Sequence, residues 1–336
     1  MSIQTDVILL GNEGQPTKVY GSVAQRLLQS GFNCNALRQN DVLRKEEWLV
    51  FDERLVEIAR QRLNLVGDLM DRGLTFPLSN AMGTTVLQWE DVSDMDPAEI
   101  TMDGISRTRD DRVLFGLNNI PIFITHKDFS INLRTLEASR TLGQPLDTTQ
   151  LEVATRKVSE SLETTLLNGA GINVAGNTAP GYTTFPERNT FELAASWLTA
   201  TGEQMLADVL GMITVAHADN MFGPYLLYVP TDYWVQLQDD FKANSDRSII
   251  ERLKAVGTID DIKVADFLAS DNVLLVQMTR DVIDEVTGQQ PTMVQWDEAG
   301  GFKINFKVLA IMVPRIKADQ EGRCGIVHGS TASGGG

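Results

Sequence analysis

The sequence is poor in several things that would otherwise narrow its function quickly. Cysteine is nearly missing: Cys34 and Cys324 are the only two in 336 residues and lie near opposite ends of the chain. That excludes a disulfide-stapled scaffold and fits a reduced, intracellular history. No apolar run approaches the ~20 residues that a bilayer-spanning helix needs. The start, Met1-Ser-Ile-Gln-Thr-Asp, lacks the basic region and apolar core of a secretory signal, so no membrane partner is expected. Positive charge is scarce too, with 29 Lys and Arg against 45 Asp and Glu, a net charge of −16. A surface of that sign repels phosphate backbones, so sequence-specific nucleic-acid binding is not expected.

Catalytic signatures are equally thin. His126, His217 and His328 are far apart, and none sits in a zinc-protease pattern. The run Gly169-Ala-Gly171-Ile-Asn-Val-Ala-Gly176 follows a helix, whereas a dinucleotide fingerprint follows a strand and opens a helix. It reads as a helix stop and a turn-rich hinge. Asp94-x-Asp96 begins like a calcium loop, but Ala98 and Glu99 stand where Asp or Asn and Gly are needed. There is no nucleophile elbow or Walker-type phosphate loop. No catalytic residue, cofactor site or metal ligand is assigned, and the chain is not expected to be an enzyme. A soluble enzyme with an unrecognised site is the alternative from a different class.

What is present is an ordinary globular composition, 43% hydrophobic and 22% charged, in a length that suggests about two domains. The centre of the chain runs from Ile120 to Gly169. An apolar strand-like run, Ile120-Pro-Ile-Phe-Ile-Thr125, precedes one long helix expected over residues 148–167, with Asp147 as N-cap, Gln150 three residues on, and Asn168-Gly169 as the stop. Leu151, Ala154, Val158, Leu162 and Leu166 form its apolar stripe, with Glu152, Arg156, Lys157, Glu160 and Glu163 mostly off it. At 1.5 Å per residue the helix spans roughly 30 Å, the length of a beam across a subunit.

Around the beam the chain divides unevenly. Residues 1–44 have weak periodicity and read as an arm that orders on something else. Trp48, Phe51, Leu55, Ala59, Leu63, Val66 and Met70 recur at helical spacing up to a stop at Arg72-Gly73. Gly83 to Val92 reads as a strand, followed by an acidic stretch with Asp94, Asp96, Glu99 and Asp103 and a mixed patch with Arg107, Arg109 and Arg112. Residues 73–112 hold too few apolar side chains for a private core, so they are expected to pack on a neighbour. A second compact unit follows the hinge. Asp281 to Gly288 reads as a surface segment, and Thr292–Trp296 pairs with Phe302–Val308 as a hairpin.

This order of features, an α+β chain with arm, helix, stranded excursion, beam, hinge, compact insert and terminal strands, resembles the Hong Kong 97 fold of tailed-phage major capsid proteins and encapsulin shells. The likeness is carried by Ile120 to Phe129, Leu136-Glu-Ala-Ser-Arg140, Pro145-Leu-Asp-Thr-Thr149, Leu167-Asn-Gly169 and Leu78 to Trp89. It is closest to phage capsid proteins of the encapsulin-like branch. The resemblance implies an N-terminal arm at 1–44, an extended loop at 73–112, and a peripheral domain from 45–72 and 113–187 with its spine helix at 148–167. It further implies an axial domain at 188–292, C-terminal strands of the peripheral domain at 293–329 and a flexible tail at 330–336.

As to function, it implies a shell built from hexamers and pentamers around double-stranded DNA, with scaffolding, portal and cement proteins as further partners. An encapsulin-like compartment with a protein cargo is the alternative. Some members join a loop lysine to an asparagine of another subunit; here no Lys lies between Lys45 and Lys127, so a loop-lysine cross-link is not expected. The candidate inter-subunit contacts are Trp89, Asp94, Asp96, Asp103, Arg107, Arg109 and Arg112.

Overall fold

The computed structural model describes residues 8–10, 16–18, 45–92, 100, 102, 115–135, 138, 148–242, 246–298 and 302–331. Strands β1 (Ile8–Leu10) and β2 (Pro16–Lys18) pair antiparallel. Helices α1 (Lys45–Arg62) and α2 (Leu65–Asp71) lead to β3 (Thr75–Pro77), β4 (Val86–Val92), β5 (Phe115–Pro121) and β6 (Thr125–Asn132). The long helix is α3 (Thr149–Asn168), followed by β7 (Asn173–Val174), β8 (Asn177–Thr178) and β9 (Asn189–Leu193). Next come α4 (Gly202–Ala218), β10 (Tyr225–Val229), α5 (Thr231–Gln236) and α6 (Ile249–Lys254). The chain closes with β11 (Ile259–Val264), β12 (Asn272–Gln277), β13 (Ile283–Glu298), β14 (Lys303–Ile316) and β15 (Ile326–Thr331).

Two sheets organise these elements. The first has the order β3-β13-β14-β6, the second β11-β10-β12-β15-β9. Helix α3 lies on the first sheet because its stripe of Leu151, Ala154, Val158, Leu162 and Leu166 joins Ile304, Phe306, Val308, Ala310 and Met312 of β14 in one core. Phe306 stacks on Phe129 of β6 and meets Phe51 of α1 edge-on, with ring centroids 5.0 and 5.8 Å apart. The helix ends where expected. Gly169 has φ +80°, and its N–H donates to the Thr165 carbonyl at 2.8 Å. At the other end the cap position is Thr148, whose hydroxyl donates to the Glu152 carboxylate at 3.0 Å instead of capping the backbone. Glu152 is thereby occupied, and Arg156 pairs with Glu160 at 3.6 Å. Asp147 lies outside the described residues.

Several expectations change. The helix expected through Met70 is two helices, broken at Leu63-Asn64. The N–H groups of Leu65 and Val66 that open α2 donate to Glu163 of α3 at 3.0 and 3.1 Å, so Glu163 is buried, not on a solvent face. Asp281 to Gly288 is no surface segment: Val282, Ile283, Asp284, Glu285 and Val286 are buried, the last four in the first half of β13. The hairpin of β13 and β14 is correspondingly long, from Ile283↔Ile316 to Glu298↔Lys303. Consequently residues 283–292 lie in the first sheet, not with the second unit. Conversely β15 leaves the first sheet. It pairs antiparallel with β12 and parallel with β9, so the strand reaches Thr331 where a loose tail was expected.

The second unit has its own core. Strand β10 is buried along all five residues, and Trp197, Met205, Val209, Leu253 and Val273 pack around it. Helix α4 starts with a capping box between Thr201 and Gln204. Asp208 in α4 accepts from the Trp197 indole at 3.0 Å and the Ala194 N–H at 3.2 Å, so the buried polar groups of this corner satisfy one another.

Candidate assembly interface

Strands β4 and β5 form a two-stranded ribbon, with register from Val86↔Pro121 to Val92↔Phe115. Alternation gives it two faces. Leu87, Trp89, Asp91, Gly116, Asn118 and Ile120 share the inner face. Ile120 is buried against Ala179 and Val313, with Leu87, Trp89 and Ile122 around it. Trp89 is half-buried, and its ring sits 5.5 Å from the Arg315 guanidinium carbon. The other partner of that guanidinium is Phe76 at 4.5 Å.

Arg315 is fixed from below. It lies opposite Asp284 across β13 and β14 and donates to both carboxylate oxygens, at 2.8 and 2.5 Å. Lys317 adds a third bond to Asp284 at 2.7 Å. A bidentate, buried pair of this kind holds orientation as well as charge. The root of the ribbon therefore rests on a rigid platform. Beside it, a cleft of about 350 Å³ opens between the ribbon and the β7–β8 turn, lined by Trp89, Leu117, Asn118, Asn177, Glu187 and Asp319 among others.

The outer face has no such support. Phe115 and Leu117 stand there 68% and 60% exposed, beside Glu90 and Gln88. Beyond the ribbon, Ile100 and Met102 are fully exposed. A two-stranded ribbon is at best marginally stable in water by itself, and large apolar groups along its free face mark it for contact with another surface. On the second unit, Leu210, Phe222 and Val235 are also exposed.

Comparison with known proteins bears on this geometry. A family model for a family of unknown function, DUF6260, matches residues 35–329. The chain belongs to that family. No curated protein matches it. Among solved structures, a virus-like particle from Pyrococcus furiosus is similar with a TM-score of 0.60 at 17% identity, over 84% of this chain and 98% of that one. The capsid of Myoviridae phage XM1 gives a TM-score of 0.61 at 11% identity, over 78% of this chain and 90% of that one. A structure from Mycobacterium phage Bobi gives 0.57 at 10% identity, over 79% and 90% of the respective chains. The α+β architecture is thus the Hong Kong 97 fold expected from the sequence.

Of the contact residues proposed from sequence, Trp89 lies on the inner face of the ribbon, where its ring meets Arg315 of the same chain. Asp94, Asp96, Asp103, Arg107, Arg109 and Arg112 lie outside the described residues. The outer-face pair Phe115 and Leu117 was not anticipated. Its signal is the alternation Phe115-Gly-Leu117-Asn-Asn119 just before the apolar run at Ile120.

The described residues hold no group of three or more His, Cys, Asp or Glu placed to bind a metal. Burial pushes the Cys324 thiol up to about 12, which makes it a poor nucleophile. His328 sits between the Arg188 guanidinium at 3.3 Å and the Asn272 side-chain oxygen at 2.8 Å, and burial, then Arg188, hold its pKa below the usual value. No described helix is long and apolar enough to cross a membrane.

Proposed function

We propose that this chain is the major shell subunit of a tailed bacteriophage, assembling through hexamers and pentamers into an icosahedral capsid around double-stranded DNA. The observation that carries this reading is a ribbon with an exposed apolar outer face on a Hong Kong 97 fold. The inner face is held by its own chain, whereas the outer face needs another copy. Each copy would touch several neighbours, so modest interfaces add up to a stable shell. In that shell residues 73–112 with β5 reach over a neighbour, and the five-stranded unit meets its copies around the five- and six-fold axes. The acidic residues Asp94, Asp96 and Asp103 and the basic residues Arg107, Arg109 and Arg112 then make inter-subunit ion pairs. Such pairs fix register more than they add energy. The lack of lysine between Lys45 and Lys127 makes the shell one without loop-lysine cross-links. Scaffolding, portal and cement proteins are its further partners, and the virion is its place.

A second reading, an encapsulin-like compartment around a protein cargo, draws support from the Pyrococcus particle, 98% of whose chain is covered, and from the net charge of −16. Electron micrographs of the purified protein test both readings, and nucleic acid content of native particles separates them. Closed particles are expected, and charge reversal at Arg109 or Asp96 should broaden their size distribution. A population of compact monomers or dimers under all conditions would overturn the shell reading. Unchanged particles from the reversed variants would overturn the ion-pair assignment.

A further inference from the structure

Beneath α3 runs a second, polar stripe. Thr155, Ser159 and Glu163 are spaced by four residues and are 0%, 0% and 1% exposed. The hydroxyls of Thr155 and Ser159, the Tyr182 hydroxyl and one oxygen of Glu285 are buried there without hydrogen-bond partners among the described residues. Buried polar groups are normally satisfied, so such a concentration in one seam calls for a cause.

Glu163 is the hub of the seam. Its two oxygens each accept one of the N–H groups that open α2, those of Leu65 and Val66. One turn on, Asp68 of α2 accepts from the Tyr228 hydroxyl of β10 at 3.0 Å and is paired with Lys263 of β11. Glu163, α2 and Asp68 therefore form a continuous link from the spine helix to the second sheet. The charges facing Glu163 are mainly of its own sign: Asp68 on α2 and Asp266 beside β11, with Glu285 on β13 and Asp284 next to it. Lys263 is taken by Asp68, and Arg315 and Lys317 by Asp284. The phenols Tyr182 and Tyr228, stacked at 6.4 Å, close the site.

We propose that Glu163 is a proton-operated clamp between the two units of the fold, tight when ionised and slack when protonated. Ionised, it holds α2 through two charge-assisted bonds, about twice as strong as neutral ones. Protonated, it holds α2 through weaker neutral bonds, and the link to Tyr228 and Lys263 loosens. The working range is physiological. Burial pushes Glu163 up to about 7 from an ordinary value of 4.5, against the lowering effect of the two N–H groups and with help from Asp68 and Asp266. Burial, then the neighbouring carboxylates of Glu163 and Asp284, hold Glu285 well above the usual carboxylate range.

The clamp has a signature with two opposite signs. Because its folded pKa is raised, Glu163 contributes stability that is complete below its unfolded value and lost as pH rises through about 7. Between pH 5 and 8 this one group should lower the folded-to-unfolded ratio on the order of fiftyfold. Over the same range the Leu65 and Val66 amides should become better protected. Simple burial of a carboxyl would give the first effect without the second.

The inference goes beyond the shell reading and applies to a single copy, so failure to assemble and failure of the clamp are separate outcomes. The test compares full-length wild type with Glu163→Gln and Glu285→Gln from pH 5 to 8. Unfolding midpoints and amide exchange in α2, corrected for the intrinsic rate, are followed. Wild type should lose stability and gain α2 protection. Glu163→Gln should lose stability less steeply, the remaining slope coming from Glu285, and gain no α2 protection, whereas Glu285→Gln should keep the gain in α2 protection. A Glu163→Gln protein with the wild-type pH slope, or wild-type α2 amides indifferent to pH, overturns the proposal. If Glu163→Gln fails to fold, the wild-type infrared signal of protonated carboxyls decides. Loss of one carboxyl between pH 6 and 8 supports the clamp, and no loss in that range overturns it.

Discussion

The five-stranded unit and the β4–β5 ribbon stand at opposite ends of self-sufficiency. In the unit, β10 is buried along its whole length, and Trp197 and Asp208 satisfy each other at 3.0 Å. In the ribbon, Ile120 and Pro121 are the buried residues among the described side chains, while Phe115 and Leu117 face outward. Both are made of ordinary β-forming sequence. They differ in where the apolar surface is removed from water, within the chain in one case and, on our reading, between chains in the other. Mutations should therefore separate the two, with fold failing in one region and assembly in the other.

The largest effect on folding is expected from Trp197→Ala. The side chain is completely buried and stacks on Tyr233 with centroids 5.6 Å apart. Its loss removes apolar contact and leaves Asp208 without the indole donor, at a cost of about 3–5 kcal/mol. Urea unfolding should show a lower midpoint with the slope unchanged. A stable variant would mean that the second unit is less self-contained than its packing indicates.

Arg315→Met probes the boundary between the two regimes. It strips Asp284 of its bidentate partner and Trp89 and Phe76 of their cation, although Lys317 still reaches the carboxylate. Breaking a buried pair of this type costs about 3 kcal/mol, and the residual Lys317 bond should place the result below that. The Trp89 environment should become more polar, so intrinsic fluorescence should shift to the red. No shift would mean that the platform does not hold the root of the ribbon.

How far these regions were legible in sequence follows the same division. The α3 stripe, the Gly169 stop and the pairing of β13 with β14 rest on periodicity and turn chemistry within a few residues, and those signals were sufficient. The burial of Glu163 was not, because its partners Leu65 and Val66 lie 98 and 97 residues away. Nothing local distinguishes a carboxylate that caps a distant helix from one in water. The destination of β15 depends likewise on β9, more than a hundred residues earlier. The loop boundary expected at residue 112 divides the ribbon between its strands, since β5 continues to Pro121. A strand supported on one face offers only half the hydrophobic alternation that marks strands in sequence. The outer half, Phe115 and Leu117, stands largely exposed in the single chain.

The smallest effect on folding, and the sharpest on assembly, is expected from Phe115→Ser combined with Leu117→Ser. Both side chains are already solvated in the single chain, so its stability should change by no more than about 0.5 kcal/mol. If the outer face docks on a neighbour, each lost apolar contact recurs at every interface of the particle. Small penalties are then multiplied by valency rather than averaged away. Sedimentation should show closed particles replaced by smaller species, with unfolding curves superimposable on wild type. Particles that survive the double change would move the contact to another face of the subunit, the exposed Leu210, Phe222 and Val235 of the second unit being the next to test. A variant that instead unfolds would show that the ribbon is held by its own chain on both faces.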